Sequence, residues 1–353
     1  MATMTPRRRV EAVLRGEKPD KIPFTVYENK LPQCTVERQL RNDGLCIVER
    51  RYSVFRIHTP NVRVETISYT ENGIPYIRRN YYTPVGNLYA IDRPAGFTTW
   101  NLVKLFKSPE DYKPLLFMIK DQQIEPTYES FMRAQEMLGE DVTLRVNIGS
   151  TPLHQIMVHW MGLETFAVEW IERRDEIERL YKAIVEKHRQ IYEIVAKSPA
   201  LHVNYGGNET GDVMGRERFE KYVLPLYNEA AEVLHKHGKL LGAHLDGNNR
   251  IWADLVAQSG LDYIEAFTPA PDTDMTIEEA FQIWSGKVLW INFPSSVHLR
   301  PVEEIKATTQ HIIEASKPDY RLIIGITEDV PEDRWQQNFL AISETINAVG
   351  RLR

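Results

Sequence analysis

The stretch "KLLGAHLDGNNRIWADL", Lys239 to Leu255, contains the unit from which this fold is built. An apolar run reaches the polar residues His244 and Asp246, a turn follows, and a segment of helical character comes after the turn. From about residue 200 onward, further apolar runs alternate with amphipathic segments; they are "ALHVNY", "LDYIEAF", "KVLWINF" and "YRLIIGI". This alternation predicts βαβ units and a parallel sheet.

Three earlier segments also read as strands, "KIPFTVYE", "RYSVFRIH" and "DVTLRVNI", and they bring the count to eight. Eight strand-helix units predict the α/β class and an (α/β)8 barrel of the TIM type. Residues of about 60–100 alternate in a β pattern around a hairpin turn at Asn72-Gly73. We expect an antiparallel β insertion near the N-terminal third that covers one mouth of the barrel. No Pro/Gly/Ser-rich linker marks a second domain, so residues 1–353 are predicted to form a single barrel domain.

The composition excludes several classes of protein. The chain has 353 residues, of which 42% are hydrophobic and 26% charged, and a formal net charge of −6. This mild acidity argues against nucleic acid as the main partner, because phosphate binding depends on clustered Lys and Arg. Two cysteines are too few for a disulfide framework, and no run of 18 apolar residues suggests a membrane helix. We expect a cytoplasmic protein, and barrels of this size often form homodimers.

Polar residues stand at the predicted carboxyl ends of the strands, where barrels of this kind carry their functional groups. In chain order these candidates are Tyr27, Glu28, Asn29, Asn147, Tyr205, Asn208, Glu209, His244, Asp246, Glu265, Thr327, Glu328 and Asp329. Several have a purely structural alternative. Asp246 is suited to the turn that it begins, and Glu328 belongs to an acidic cluster suited to a helix start. Glu265 interrupts the apolar run "YIEAF", where an unpaired carboxylate would be costly to bury.

Taken together, these residues favour a functional site. Several carboxylates around one imidazole would repel each other unless a cation or shared protons compensated for their charge. One imidazole with two carboxylates and an open fourth position is a known arrangement for catalytic zinc. A bound metal is therefore one hypothesis for this end of the barrel.

Four segments resemble the uroporphyrinogen decarboxylase-like superfamily, and the resemblance covers nearly the full length. They are "TPRRRVEAVLRGEKPDKIPF", "TPVGNLY", "HGKLLGAHLDGN" and "GITEDVPEDRW". The resemblance implies an (α/β)8 barrel and either of two activities, porphyrinogen decarboxylation or zinc-dependent methyl transfer. The decarboxylases hold a polycarboxylate with an Arg-rich segment after the first strand. Here that segment reads "VYENKLPQC", with the single base Lys30 and the acidic Glu28, so the methyltransferase branch is favoured.

The methyltransferases of this superfamily carry a His-x-Cys motif and a further Cys at strand ends. The positions that match them here are His244, Asp246 and Glu328, and Glu265 matches an additional Glu of a more distant relative. The resemblance thus implies Zn2+ held by His244, Glu265 and Glu328, with Asp246 or Glu209 left free as a general acid or to orient the substrate. Oxygen ligands make such a site harder than thiolates would, which suits the polarisation of an ether oxygen.

The expected function is therefore demethylation of a methoxylated aromatic, or of another methylated small molecule, with transfer of the methyl group to a corrinoid carried by a separate protein. Tyr27, Asn147 and Tyr205 are predicted to contact the substrate. Two alternatives stay open: a metal-free decarboxylase, in which an acidic residue at the mouth shuttles protons, and a barrel that binds a ligand without catalysis.

Overall fold

The computed structural model describes residues 4–96 and 98–352, which form two compact units. The first unit comprises Met1–Val54, Thr127–Gly149 and Val195–Arg353, and the second comprises Phe55–Pro126 and Ser150–Ile194. None of the described helices combines the length and the apolar character that crossing a membrane requires.

The first unit is a barrel of parallel strands. Its strands are β1 Phe24–Tyr27, β2 Cys46–Glu49, β3 Val142–Leu144 with its continuation Val146–Asn147, β4 His202–Asn204, β5 Leu240–His244, β6 Tyr263–Phe267, β7 Val288–Asn292 and β8 Leu322–Ile326. Each strand pairs in parallel with the next, and β8 pairs with β1. The first half of β3 pairs with β2 and its second half with β4, so the sheet closes on this strand. The predicted (α/β)8 fold is confirmed.

One predicted barrel strand is wrong. The second strand of the barrel is "CIVE", Cys46–Glu49, and not the segment "RYSVFRIH". Within that segment, Phe55–His58 pairs antiparallel with Gln123–Pro126 in the second unit. The physical reason is burial, because every residue of Phe55–His58 is at least partly exposed whereas three of the four residues of β2 are buried. A strand of a parallel barrel is covered on both faces and reads as a short apolar run, without alternation.

Helices follow the strands around the first unit. They are Pro6–Leu14, Thr35–Asn42, Tyr128–Met137, Gly211–Met214, Arg216–Tyr222, Leu224–His235, Ala253–Gln258, Ile277–Ile283, Val302–Ala315 and Trp335–Val349. Local sequence explains where they begin: the Thr5 hydroxyl caps the first helix ahead of Pro6, and Thr276 forms a capping box with Glu279. The barrel core is apolar, and all five residues of β7 and of β8 are buried.

The second unit contains the predicted antiparallel insertion. Its sheet has the strands Arg63–Glu71, Ile74–Thr83, Gly86–Ala95 and Thr98–Val103 in chain order. Asn72 and Gly73 both have positive φ, at 51° and 79°, as a tight hairpin turn with two left-handed residues requires. The helical segments of this unit are the 3-10 helix Pro109–Asp111, Tyr112–Asp121, Pro152–His154, the π-helix Gln155–Met161, Leu163–Glu172 and Arg174–Ala196 as far as Ile194. That the insertion covers a barrel mouth, and that the chain is a single domain, stay predictions.

Candidate active site

A cavity of about 410 Å³ lies at the carboxyl ends of the barrel strands, within the first unit. It is lined by Tyr27, Arg50, Arg145, Asn147, Asn204, Gly206, Gly207, Asn208, His244, Asp246, Thr327 and Glu328. These residues come from β1, β3, β4 and β5 or from the segments that follow β2, β4, β5 and β8. The cavity therefore stands where functional residues are expected in a barrel of this type.

The Glu265 carboxylate forms the centre of the polar network beneath this cavity, and its residue is fully buried. Oε1 accepts a hydrogen bond from the Tyr27 hydroxyl and pairs with the Arg145 guanidinium at 2.6 Å. Oε2 contacts His244 Nδ1 at 2.6 Å and accepts a hydrogen bond from Asn204 Nδ2 at 3.1 Å. A carboxylate has about four acceptor positions, so protein groups occupy the full capacity of Glu265.

The backbone next to Glu265 is strained. Ala266 has φ of +59°, a left-handed conformation that alanine rarely adopts. It is the extra residue of a β-bulge, because Glu265 pairs with Trp290 and Phe267 pairs with Ile291. Bulges beside active sites redirect the chain locally, and strain of this kind costs about 1–3 kcal/mol. The surrounding structure thus keeps Ala266, the neighbour of Glu265, in a backbone conformation that alanine by itself does not favour.

Electrostatics determine the charge states of this network. Burial alone would raise the pKa of Glu265, but Arg145 and His244 outweigh it and hold that pKa well below 4.5. Burial alone would lower the pKa of His244, but Glu265 and Asp246 raise it to about 10. Burial raises the pKa of Tyr27 far above its ordinary value. At neutral pH the network therefore contains an ionised Glu265, a charged Arg145, a neutral Tyr27 and an imidazolium at His244.

The imidazolium of His244 presents its second nitrogen to the cavity. Nδ1 is bound to Glu265, and Nε2 lies 3.5 Å from Oδ2 of Asp246, whose side chain is 25% exposed. Two buried atoms of the lining residues have no hydrogen-bond partner among the residues that the structure describes: Asp246 Oδ1 and Arg145 Nε. Buried polar atoms without hydrogen-bond partners are uncommon in proteins.

The structure brings six of the eight predicted site residues to the cavity or its network. Tyr27, Asn147, His244, Asp246 and Glu328 line the cavity, and Glu265 lies beneath it. Arg50 covers the Tyr27 ring at 3.5 Å from its centroid. The Asn147 side chain accepts a hydrogen bond from the backbone of Gly149, and Glu328 accepts one from the Ser295 hydroxyl.

The other two predicted residues, Tyr205 and Glu209, do not line the cavity. Tyr205 is fully buried and packs edge-on against Tyr227, with ring centroids 5.9 Å apart. Glu209 is also buried, and its carboxylate accepts a hydrogen bond from the backbone N–H of Gly207 at 2.8 Å. Tyr205 thus packs in the barrel wall and Glu209 contacts the backbone of the loop after β4, and the roles predicted for them stay predictions.

The three residues predicted to hold zinc do not fit a metal as they are placed. Within residues 4–96 and 98–352, no three His, Cys, Asp or Glu side chains are grouped so that they could hold a metal ion. Glu265 already binds four protein groups, and one of them is the permanently charged guanidinium of Arg145. His244 Nδ1 is bound to Glu265, and Glu328 is bound to Ser295.

Arg50, Arg145 and Asn204 are polar site residues that sequence reasoning missed. Arg145 interrupts the apolar run "DVTLRVNI" in the same way that Glu265 interrupts "YIEAF". A charge inside a strand that is predicted to be buried requires a partner of opposite charge. Arg145 and Glu265 are such partners for each other. That signal was available in the sequence, although the closure of the barrel that brings the two residues together was not.

Comparison with known proteins adds two findings. A family model described as uroporphyrinogen decarboxylase (URO-D) matches residues 101–348. The fold is similar to that of a methyltransferase from Methanosarcina mazei, with 12% identity, a TM-score of 0.57, and coverage of 98% of this chain and 99% of that one. At this identity the similarity concerns the fold alone.

A structure of pneumococcal StrH, described for N-glycan recognition and hydrolysis, has 10% identity, a TM-score of 0.39, and coverage of 92% of this chain and 84% of that chain. A sugar phosphate isomerase/epimerase from Parabacteroides distasonis has 10% identity, a TM-score of 0.31, and coverage of 95% of both chains. Scores this low carry no argument about function. No curated protein matches the chain.

Proposed function

The chain belongs to the uroporphyrinogen decarboxylase (URO-D) family, and on that premise we propose that it is a methyltransferase of the O-demethylase type. Its methyl donor is a small methoxylated aromatic with polar substituents, and His244 is the general acid. The methyl acceptor is a corrinoid carried by a separate partner protein. The similarity in fold to a methyltransferase, which extends over nearly the full length of both chains, supports the proposal of methyl transfer within this family.

The observation that carries the proposal is the arrangement of His244. Its Nδ1 is bound to a buried carboxylate, so Nε2 is the nitrogen that can donate a proton into the cavity. Asp246 lies 3.5 Å from Nε2 and orients the ring from the other side. A positioned proton donor of this kind typically contributes about 10²–10⁴-fold to a rate.

The proton balance of the reaction follows from this geometry. When the C–O bond of the donor breaks, the methyl group leaves without the bonding electrons, which stay on the oxygen. That oxygen takes the proton from His244 Nε2, and the neutral phenol departs. A reduced corrinoid, Co(I), would supply the nucleophile for the methyl carbon. Solvent then returns a proton to His244 before the next turnover.

The acidity of His244 suits a phenol as the leaving group. Glu265 and Asp246 raise the pKa of His244, so at neutral pH the ring carries a proton that a departing phenolate can accept. An alkoxide is much more basic than a phenolate and departs less readily, so aryl methyl ethers are favoured over alkyl ethers as donors.

The cavity restricts the donor in size and polarity. Its volume of about 410 Å³ suits a single ring. Because amide, hydroxyl and charged groups dominate the lining, the ring should carry polar substituents. Arg145 Nε and Asp246 Oδ1 are the groups proposed to bind those substituents, and Tyr27 and Asn147 remain proposed substrate contacts.

The arginines at the cavity argue against a polycarboxylate substrate. Arg50 pairs with Glu28 at 2.9 Å, and Arg145 pairs with Glu265 at 2.6 Å. Each cation is thus matched by a carboxylate of the chain itself, and little positive charge remains for several substrate carboxylates. This charge balance favours methyl transfer over porphyrinogen decarboxylation.

The test uses the purified chain, free cob(I)alamin as the methyl acceptor, and a series of methoxybenzoates and methoxyphenols. We expect loss of the Co(I) absorbance together with an equal amount of demethylated phenol. His244→Gln should lower the turnover number by at least about 100-fold. The control is His311→Gln, since His311 is an exposed histidine that pairs with Glu278. Release of CO2 from a carboxylated substrate without any acceptor would refute methyl transfer and favour a decarboxylase.

A further inference from the structure

We propose that the buried guanidinium of Arg145 takes the place of a divalent metal in this barrel, so that the site operates without one. The inference rests on the proposed function for the location of the site, but its test does not depend on which reaction occurs there. Arg145 also explains why the carboxylates at the barrel mouth do not require a bound metal to offset their mutual repulsion, because the compensating cation is part of the chain.

The contacts of Glu265 leave no position for a metal ligand bond. Zn2+ binds carboxylate oxygens at about 2.0–2.2 Å and would have to displace protein donors to do so. On Oε1 it would displace Tyr27 and Arg145, and on Oε2 it would displace His244 and Asn204. Each displaced group would then be left buried without its partner, which is costly for a polar group and more so for a charge.

Arg145 is a permanent cation in this position. A guanidinium does not lose its proton in proteins, so no change of protonation can make room for a dication. The side chain is 5% exposed and is held through Nη1, which pairs with Glu265 Oε1 at 2.6 Å and donates to the Tyr27 hydroxyl at 3.0 Å. A divalent ion bound to Glu265 would therefore lie close to a buried like charge.

Arg145 already compensates the charge of Glu265 within the chain. Adding Zn2+ to this pair would leave two uncompensated positive charges in a buried position, and the Asp246 carboxylate would offset only one of them. A metal on His244 would have to bind Nε2, because Nδ1 is bound to Glu265, and Glu265 would then be a hydrogen-bond partner of the ring and not a ligand of the same ion.

If Arg145 excludes a metal from this site, a variant without the guanidinium should admit one. When the guanidinium is replaced by an apolar side chain of similar length, the Glu265 carboxylate loses its permanent cation, while Tyr27, His244 and Asn204 remain beside it. A divalent cation can then approach Oε1 without meeting a buried like charge, with solvent completing its coordination. The Arg145→Met variant should therefore bind metal that the wild-type chain does not bind.

The experiment is a titration of the metal-free chain with Co2+, followed by its visible d–d absorption and by metal content after gel filtration. We expect no site in the wild-type chain and at least about 100-fold tighter Co2+ binding by Arg145→Met, because a buried like charge has been removed. The matched control is Arg50→Met, which removes a cation at the same cavity but leaves the Arg145–Glu265 pair intact, and it should bind no metal.

A second measurement uses only the wild-type chain and so does not depend on the folding of the variant. With 15N-labelled histidine, one equivalent of Zn2+ should leave the His244 ring resonances unchanged. A stoichiometric metal in the wild-type chain that is lost in His244→Ala, or a Zn2+-induced shift of the His244 resonances, would overturn the proposal. A folded Arg145→Met variant that binds no Co2+ would overturn it as well.

Discussion

Breaking the Arg145–Glu265 pair should strongly destabilise the barrel. The side chains are 5% and 0% exposed and their charged atoms are 2.6 Å apart. Removing one partner of a buried ion pair costs about 3–5 kcal/mol, because the other charge stays buried without compensation. Arg145→Met also removes the hydrogen bond to Tyr27, while His244 continues to balance Glu265 in part. We therefore expect a loss of about 3–4 kcal/mol in the free energy of unfolding.

A double-mutant cycle separates the pair from its surroundings. Glu265→Gln should also cost about 3–5 kcal/mol, because it leaves Arg145 and His244 as buried cations. In the double variant Arg145→Met/Glu265→Gln, neither charge of the pair remains buried without its partner. The loss in the free energy of unfolding should therefore be smaller than the sum of the two single losses, by about 2–3 kcal/mol. Urea unfolding followed by circular dichroism and tryptophan fluorescence measures each corner of the cycle.

The control for this cycle is Arg50→Met at the same cavity. Arg50 pairs with Glu28, and these side chains are 28% and 12% exposed, so the loss should be about 1 kcal/mol or less. Equal losses for Arg145→Met and Arg50→Met would refute the reasoning. So would a Glu265 variant more stable than the wild-type chain, which is the result expected for a barrel mouth governed by carboxylate repulsion.

Three further predictions concern the same network. Because the pKa of His244 is raised to about 10, its stabilising contribution is fully present below about pH 6.5 and is lost as the pH rises through about 10. Turnover that needs the imidazolium should therefore be level from about pH 6 to about pH 9, and a pH–rate profile that falls near pH 6.5 would contradict this assignment. Ala266→Gly relieves the positive φ and should stabilise the fold by about 1 kcal/mol in urea unfolding, and a loss of stability would show that Ala266 is not strained. Gly242→Ala would place a methyl group against the ring of Tyr263, whose hydroxyl donates a hydrogen bond to Asn204. We therefore expect a loss of about 1–3 kcal/mol in the free energy of unfolding, and an unchanged free energy would mean that the ring moves aside without cost.

Much of the fold could be predicted from local sequence pattern. Strands that are covered on both faces become continuous apolar runs, and for that reason β5, β6, β7 and β8 were recognisable. The hairpin at Asn72-Gly73 was recognisable because its turn requires positive φ at two successive residues. Strand β2 was missed because its four residues, "CIVE", are shorter than the alternating segment that follows.

The candidate site was predictable in part, and for a different reason. His244, Asp246 and Glu328 stand at strand ends, and any closed parallel barrel gathers those ends at one mouth. Position along a strand or loop does not specify which way a side chain points. Tyr205 and Glu209 both lie in the segment after β4, yet Tyr205 packs into the barrel wall and Glu209 binds the backbone of its own loop.

The sequence alone therefore determined seven of the eight barrel strands, the polar character of the strand ends and the membership of the family. These properties depend on periodicity and on residue type, which are local. Only the tertiary structure decided that the buried carboxylate of Glu265 is compensated by Arg145, a residue 120 positions earlier in the chain. Arg145 and Glu265 lie on strands that are not neighbours in the sheet, so they meet across the barrel interior, and only the closure of the barrel brings them together.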